Sequence, residues 1–338
     1  MNCGHHHERK LPLRIFEDSW AYTRTRILMT AVELDLFSRM ARGPRTVESL
    51  SKACRVSRRG LRALLDALTA RQYLRKSGSR YLLGEEAAHF LVKGKTDFLG
   101  DYIVRTKYPW DDWKHLTSIV RRGKPRRAMN RVRLGNRYFP RLVEALFPGN
   151  FMVAQEVAQR LAPRRRNQDW EMLDIACGAG PWSIAFAVRN PSVRVAALDL
   201  PEVLKVTKRF ASRHGVRRQY EFLAGDWHKI DFGRKRYDLV VLGHILHSEG
   251  ARQSQSLIKQ CYRSLKEGGQ ILIIEINPDS GRRKDLFPLI FAVNMLMYTE
   301  EGNAFTFEEI RSWCREAGFQ GVRRIRSSSV SPLILARK

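Results

Sequence analysis

The sequence predicts an α/β protein, with a Rossmann-like parallel sheet in the second half of the chain and a smaller, mostly helical module before it. Three observations carry this. An apolar run from Met172 enters Asp174-Ile175-Ala176-Cys177-Gly178-Ala179-Gly180, and a helical pattern leaves it from Trp182. Two glycines at such a turn let the backbone fold tightly and let a ligand lie against the main chain. A second apolar run, Val195-Ala196-Ala197-Leu198, ends on Asp199, which makes a βαβ unit with a carboxylate at the tip of its second strand. Strand-like runs follow at Tyr220–Ala224, Tyr237–Leu242 and Gln270–Glu275. A helix (Arg252–Leu265) and the turn Lys266-Glu267-Gly268-Gly269 precede the last of them.

The strand ends point to a nucleoside. Asp199 can accept hydrogen bonds from both hydroxyls of a ribose. The third glycine of a dinucleotide fingerprint is missing, since Ser183 stands where it would fall. Asp174 lies inside the strand end, where it would repel a pyrophosphate but suits a cationic ligand. After the third run, Gly225-Asp226-Trp227 offers an acceptor for an adenine amino group beside an aromatic face. Acidic residues at three successive strand ends, with no phosphate-binding lysine, favour S-adenosylmethionine. The cofactor residues expected are therefore Asp174, Gly178, Gly180, Asp199, Leu200, Gly225, Asp226 and Trp227.

The N-terminal part has its own pattern. Apolar residues recur at helical spacing through Ile27, Ala31, Leu34, Leu36 and Phe37, within Ser19–Met40. Thr46 offers an N-cap to a short helix, and Val56-Ser57-Arg58-Arg59-Gly60 opens a second, running through Leu61, Leu64, Leu65 and Leu68. Tyr73–Lys76 and Arg80–Leu83 read as two strands around Ser77-Gly78-Ser79. Helix, turn, helix and wing make a winged helix, which could serve DNA reading or assembly. Between the halves, Tyr108–Trp113 suggests an aromatic-rich helix, and Phe147–Met152 begins another through Val157 and Leu161. Pro163–Asn167 reads as the connector to the sheet.

The fourth strand is followed by Gly243-His244-Ile245-Leu246-His247-Ser248. With the Asp174–Gly180 loop, Asp199-Leu200-Pro201, Gly225-Asp226 and Ile245-Leu246-His247, the chain resembles the class I S-adenosylmethionine-dependent O-methyltransferases that carry an N-terminal winged-helix dimerisation domain, from about Ser19 to Ala336. The resemblance implies a seven-stranded methyltransferase domain at 167–338, a winged-helix dimerisation domain at 1–100 and a helical segment at 101–166 contributing to the substrate pocket. It also implies a homodimer acting on a small-molecule acceptor, with S-adenosyl-L-methionine as cofactor.

The resemblance places the general base at His247 and an orienting carboxylate at Glu275. A phenol has a pKa of ~10, so ionising it at pH 7 costs about 4 kcal/mol, and histidine suits the task of taking its proton in the transition state. A second family carboxylate aligns with Ala304 and is absent, and the family's His-Asp-Trp reads His247-Ser248-Glu249. The helix after Asp285 is apolar almost all round; in the family it lines the acceptor pocket. Phe151, Phe291, Asn294 and Met295 are the acceptor-binding residues expected, suiting a flat aromatic or polyketide-like hydroxyl.

Composition bounds the rest. The net charge is +27, and residues 1–170 hold 35 Lys and Arg against 16 Asp and Glu. Arg121, Arg122, Lys124, Arg126, Arg127, Arg131, Arg133, Arg137 and Arg141 fall in one stretch without an acid. Such a field attracts polyanions. Only Tyr138 and Phe139 are aromatic within it, so a stacking platform for single strands is not evident, and a solvated face is the simpler reading. There is no Pro-Cys nucleophile for cytosine chemistry and no Asn/Asp-Pro-Pro-aromatic segment for amino-group methylation of bases. A nucleic-acid-binding protein, an RNA methyltransferase or a non-catalytic DNA-binding regulator is the alternative.

The five cysteines are scattered, so neither a disulfide framework nor a metal site is expected. His5-His6-His7 is too short an exposed triplet to indicate one. No apolar run reaches the ~18 residues of a membrane span, and Met1–Lys10 lacks the apolar core of a signal peptide. A cytoplasmic protein is expected.

Overall fold

The computed structural model describes residues 11–105, 107–162, 169–329 and 331–338. The histidine triplet, Cys3 and the expected connector Pro163–Asn167 lie outside the described residues. The chain divides between Thr106 and Lys107 into two compact units. The 101–166 segment is thus shared between them.

In the first unit, the helical stretch expected over Ser19–Met40 is two helices, α1 (Leu13–Glu33) and α2 (Leu36–Met40). Asp35, at φ 55° in the left-handed region, breaks them apart. A two-residue strand, β1 (Arg45–Thr46), leads into α3 (Val47–Cys54) and α4 (Arg58–Ala70). Both N-caps form: Thr46 Oγ1 accepts from Ser49 N–H at 3.2 Å, and Ser57 Oγ from Gly60 N–H at 3.0 Å. The wing is β2 (Leu74–Ser77) and β3 (Arg80–Leu83), antiparallel, with β1 added along β3; α5 (Glu85–Phe90) and α6 (Gly100–Arg105) complete the unit. Its core is Leu36, Phe37, Leu50, Leu61, Leu65, Leu68, Leu74 and Tyr81.

The second unit opens with α7 (Lys107–Trp113) and α8 (Leu116–Arg122), then one 30-residue helix, α9 (Val132–Leu161), in place of a helix beginning at Phe147. Pro140 and Pro148, which suggest breaks in a sequence, lie inside it. Then come β4 (Trp170–Ile175), α10 (Pro181–Arg189), β5 (Val193–Asp199), α11 (Pro201–Arg213), β6 (Tyr220–Ala224), β7 (Tyr237–Gly243), α12 (Ala251–Ser264) and β8 (Leu265–Ile274). The chain closes with α13 (Leu286–Tyr298), α14 (Phe307–Ala317), β9 (Gln320–Ile325) and β10 (Leu333–Arg337). The seven-stranded sheet has the order β6-β5-β4-β7-β8-β10-β9. β4 to β8 are parallel, and β10 is antiparallel to both β8 and β9.

The expected turn Lys266–Gly269 lies within β8. Tyr237 pairs with Leu265 but Leu239 with Gln270, so the extra residues bulge out without ending the strand. Alternate residues of each strand feed opposite faces. Met172, Val195, Leu239 and Leu272 pack with residues of α9, α10 and α11, whereas Leu173, Ala196, Val240 and Ile271 pack with residues of α12 and α14. A sheet covered on both faces leaves its edges for chemistry. Because β4 to β8 run the same way, the loops after them gather along one edge.

Candidate active site

The loop after β4 is built from left-handed residues: Ala176, Gly178 and Gly180 have φ of 53°, 58° and 77°. Nothing but glycine sits without strain at the last two. A Cβ on Gly180 would lie 3.0 Å from Thr207 Cγ2, and one on Gly178 3.2 Å from Val143 Cγ1. Asp199, at the end of β5, ties this loop to α11. Its Oδ2 accepts from Gly178 N–H at 2.8 Å and its Oδ1 from Leu200 N–H at 2.7 Å. Each oxygen keeps a lone pair, so the pre-set carboxylate can take two further donors. Leu200 caps α11, and its side chain is close enough to Gly135 that a Cβ there would meet it at 3.0 Å.

Asp174 is placed differently from a ligand-facing acid. It is 1 % exposed and accepts from Ser183 Oγ at 2.6 Å beneath the loop. Ser183, standing where a dinucleotide fold has its third glycine, thus has a structural reason. Burial pushes the Asp174 carboxyl up to about 7 and that of Asp199 up to about 6, each against the pull of its own hydrogen bonds. Two carboxyls resisting ionisation favour a ligand that brings positive charge. The bare backbone of the loop, the doubly oriented Asp199 and this charge balance fit a cationic nucleoside such as S-adenosyl-L-methionine.

Gly225 follows β6 and packs against Ile230, whose Cδ1 would lie 2.8 Å from an added Cβ. Asp226 Oδ1 accepts from His228 N–H at 3.1 Å and contacts His228 Nδ1 at 2.7 Å. Trp227 is not an open aromatic face. It is buried, and its indole stacks on the His228 ring with centroids 3.7 Å apart. His228 is a residue that sequence reasoning passed over; only its place beside Gly225-Asp226-Trp227 signalled it.

After β7, His244 takes the left-handed conformation (φ 63°) and a 3-10 turn, Leu246–Ser248, carries His247. His247 Nδ1 lies 2.8 Å from Oε2 of Glu275, just past β8, and Oε1 accepts from His247 N–H at 3.3 Å. The side chains are 12 % and 3 % exposed. Burial opposes the Glu275 charge, but His247, with its ring and backbone N–H beside the carboxylate, holds it below the usual range. An ionised Glu275 fixes the proton on Nδ1 and leaves Nε2 as the acceptor. The Phe291 ring from α13 meets His247 edge-on, at 4.9 Å between centroids and 90°. His244, 6.2 Å from His247 between ring centroids, is driven by burial down to about 4, which keeps it neutral. Donor atoms of His244, His247 and Glu275 lie within 4.8 Å of one another, a grouping that sequence spacing did not reveal.

Of the expected acceptor residues, Phe291 reaches the base. Met295 is buried and Asn294 half-buried on the same helix, whose start is open: Leu286, Phe287 and Ile290 are 67 %, 56 % and 48 % exposed. Phe151 belongs elsewhere. It is a core residue of α9, stacked on Phe147 at 5.0 Å and beside His214 at 4.7 Å, because the long α9 turns it toward α11. Ala304 is fully buried, with its carbonyl accepting from Arg282 Nη1 at 3.0 Å, so a second carboxylate has no place there. All nine basic residues from Arg121 to Arg141 are exposed; Arg127 pairs with Asp112 at 3.7 Å and Arg131 with Glu300.

A family model for the O-methyltransferase domain matches residues 113–320, and one for the O-methyltransferase dimerisation domain matches residues 19–93. The chain is 29 % identical to the tetracenomycin polyketide synthesis 8-O-methyl transferase TcmO of Streptomyces glaucescens, over 97 % of each chain. A crystal structure from Nostoc punctiforme described as an O-methyltransferase shares 28 % identity and a TM-score of 0.86, over 97 % of this chain and 99 % of that one. Human N-acetylserotonin methyltransferase, solved with S-adenosylmethionine, has the same fold at a TM-score of 0.81 and 24 % identity, over 98 % of this chain and 99 % of that one.

Proposed function

The chain belongs to the S-adenosyl-L-methionine-dependent O-methyltransferase family, and from that premise we propose that it methylates a hydroxyl of a small aromatic or polyketide-like acceptor, with His247 as general base. The observation that carries the reading is the 2.8 Å contact between His247 Nδ1 and Glu275 Oε2. Bound S-adenosyl-L-methionine supplies an electrophilic methyl group on a sulfonium. Glu275 holds the Nδ1 proton, and His247 Nε2 takes the hydroxyl proton as the acceptor oxygen becomes nucleophilic. Asp199 accepts from the ribose hydroxyls, Gly178 and Gly180 let the ligand approach the backbone, and Gly225 and Asp226 flank the adenine. Asp174 and Leu200 support the loop and the start of α11 from behind.

Phe291, with Asn294 and Met295 on the same helix, forms the acceptor wall. The name of the Streptomyces relative supports a polyketide-like acceptor. Residues 1–100 serve a homodimer, in keeping with the dimerisation match; residues 101–166 contribute to acceptor binding and 167–338 hold the cofactor. No helix among the described residues is long and apolar enough to cross a membrane, and the scattered free thiols Cys54, Cys177, Cys261 and Cys314 support a reducing cytoplasm. The test uses methyl-labelled S-adenosyl-L-methionine, the purified protein and a host extract split into small-molecule, protein and nucleic-acid fractions. Label should enter the small-molecule fraction and be lost with His247→Ala. Label confined to nucleic acid would overturn the acceptor class.

A further inference from the structure

The loop after β6 contains a chain of side chains that the base and the ribose carboxylate do not involve. His228 stands between two carboxylates: Nδ1 is 2.7 Å from Asp226 Oδ1, and Nε2 is 3.3 Å from Glu249 Oε2. Glu249 is buried. Trp227 covers one face of the His228 ring. A buried carboxylate costs least where a polar partner meets it, and here His228 Nε2 lies 3.3 Å from it.

Both described contacts of the Asp226 side chain use Oδ1. Oδ2 is left for a donor outside the chain, and the Oδ1 contacts fix the rotation of the carboxylate. We propose that His228 and Glu249 are positioning residues that clamp Asp226, so that its free oxygen selects a purine with an amino group over one with a carbonyl at the same ring position. The clamp rests on the reading of this loop as the adenine site. It also joins that loop to the turn bearing His247, since Glu249 follows His247 by two residues.

A carboxylate oxygen facing an amino group gains a charge-assisted hydrogen bond, whereas facing a carbonyl it is left acceptor to acceptor. Sites built on such a contact reject the mismatched analogue strongly. The probes are S-adenosylhomocysteine and its analogue carrying hypoxanthine in place of adenine, with affinities measured by calorimetry on the full chain. The unaltered protein should prefer the adenine compound by at least ~10-fold. His228→Leu and Glu249→Gln should each bring that preference within ~3-fold, and His228→Asn, which keeps a donor toward Asp226, should restore part of it. A merely structural role would weaken both ligands equally and leave the ratio unchanged, which would overturn the clamp. Glu249→Gln is near-isosteric and keeps the test open if His228→Leu fails to fold. Asp226→Asn separates the two levels. If it alone collapses the ratio, the adenine site stands and the clamp falls; if it too leaves affinity and ratio unchanged, the loop is not the adenine site and both fall.

Discussion

Glu275 Oε2 and His247 Nδ1 are 2.8 Å apart at the ends of neighbouring parallel strands, with the carboxylate almost wholly removed from solvent. An ionised acceptor in that position sets the tautomer of the ring, and an amide would not. Glu275→Gln is therefore expected to lower kcat on the order of 10²-fold, because its NH2 group can turn toward Nδ1 and favour the proton on Nε2. S-adenosylhomocysteine affinity should stay within ~2-fold of the unaltered protein, since the cofactor loops lie on other strands. Equal losses in both quantities would mean that Glu275 supports the fold and not the base.

Asp199 spends one lone pair of each oxygen on the backbone of Gly178 and Leu200. Replacing it with Asn keeps one acceptor and turns the other into a donor facing an N–H. Hydrogen bonds to charged groups contribute ~1.5–3 kcal/mol, so S-adenosylhomocysteine should bind about 10- to 100-fold more weakly to Asp199→Asn. Calorimetry reads this directly. Unchanged affinity would remove the ribose from this strand end.

Asp174 should make stability depend on pH in an unusual direction. Its folded carboxyl is raised to about 7 by burial, partly offset by the Ser183 hydrogen bonds. The folded chain thus holds this proton more tightly than the unfolded chain does. The contribution is complete below about pH 4, the ordinary carboxylate value, and is lost as pH rises toward about 7. Depressed acids such as Glu275 act in the opposite sense, so the informative quantity is the difference between the protein and Asp174→Asn. Thermal melting should show the Asn variant gaining on the unaltered protein between about pH 5 and pH 7.5, by several °C. Parallel curves would mean that Asp174 ionises freely, and a cationic ligand would then have no burial penalty to offset.

The parts legible in the sequence were those governed by local chemistry. Glycines at positive φ, acids closing apolar runs and N-cap hydroxyls announce themselves because each is a requirement of the backbone at that residue. What stayed hidden was set by tertiary packing. The continuous α9 runs through Pro140 and Pro148, and once it does, Phe151 faces Phe147 and His214. Asp174 looks like a ligand-facing acid until Ser183 is seen closing over it. His228 and Glu249 are 21 positions apart, and no spacing rule connects two loops that meet only because β6 and β7 run in the same sense.

Phe291 carries the expected acceptor wall to the reacting group. Its ring stands perpendicular to His247 at 4.9 Å, and Phe287 follows one helical turn earlier, at 6.3 Å from Phe291 and far more exposed. Truncating Phe291 to Ala removes both the apolar surface that a flat acceptor would bury and the edge contact that steadies the imidazole. For an aromatic hydroxyl acceptor, kcat/KM should fall about 10-fold or more, with the change in KM exceeding that in kcat if the wall matters most for binding. Phe287→Ala should cost less, since that ring is 56 % exposed. S-adenosylhomocysteine affinity, measured alongside, should be unchanged in both variants. If kcat alone falls for Phe291→Ala and KM holds, the ring serves to position His247, and the acceptor wall must be sought on another face of α13.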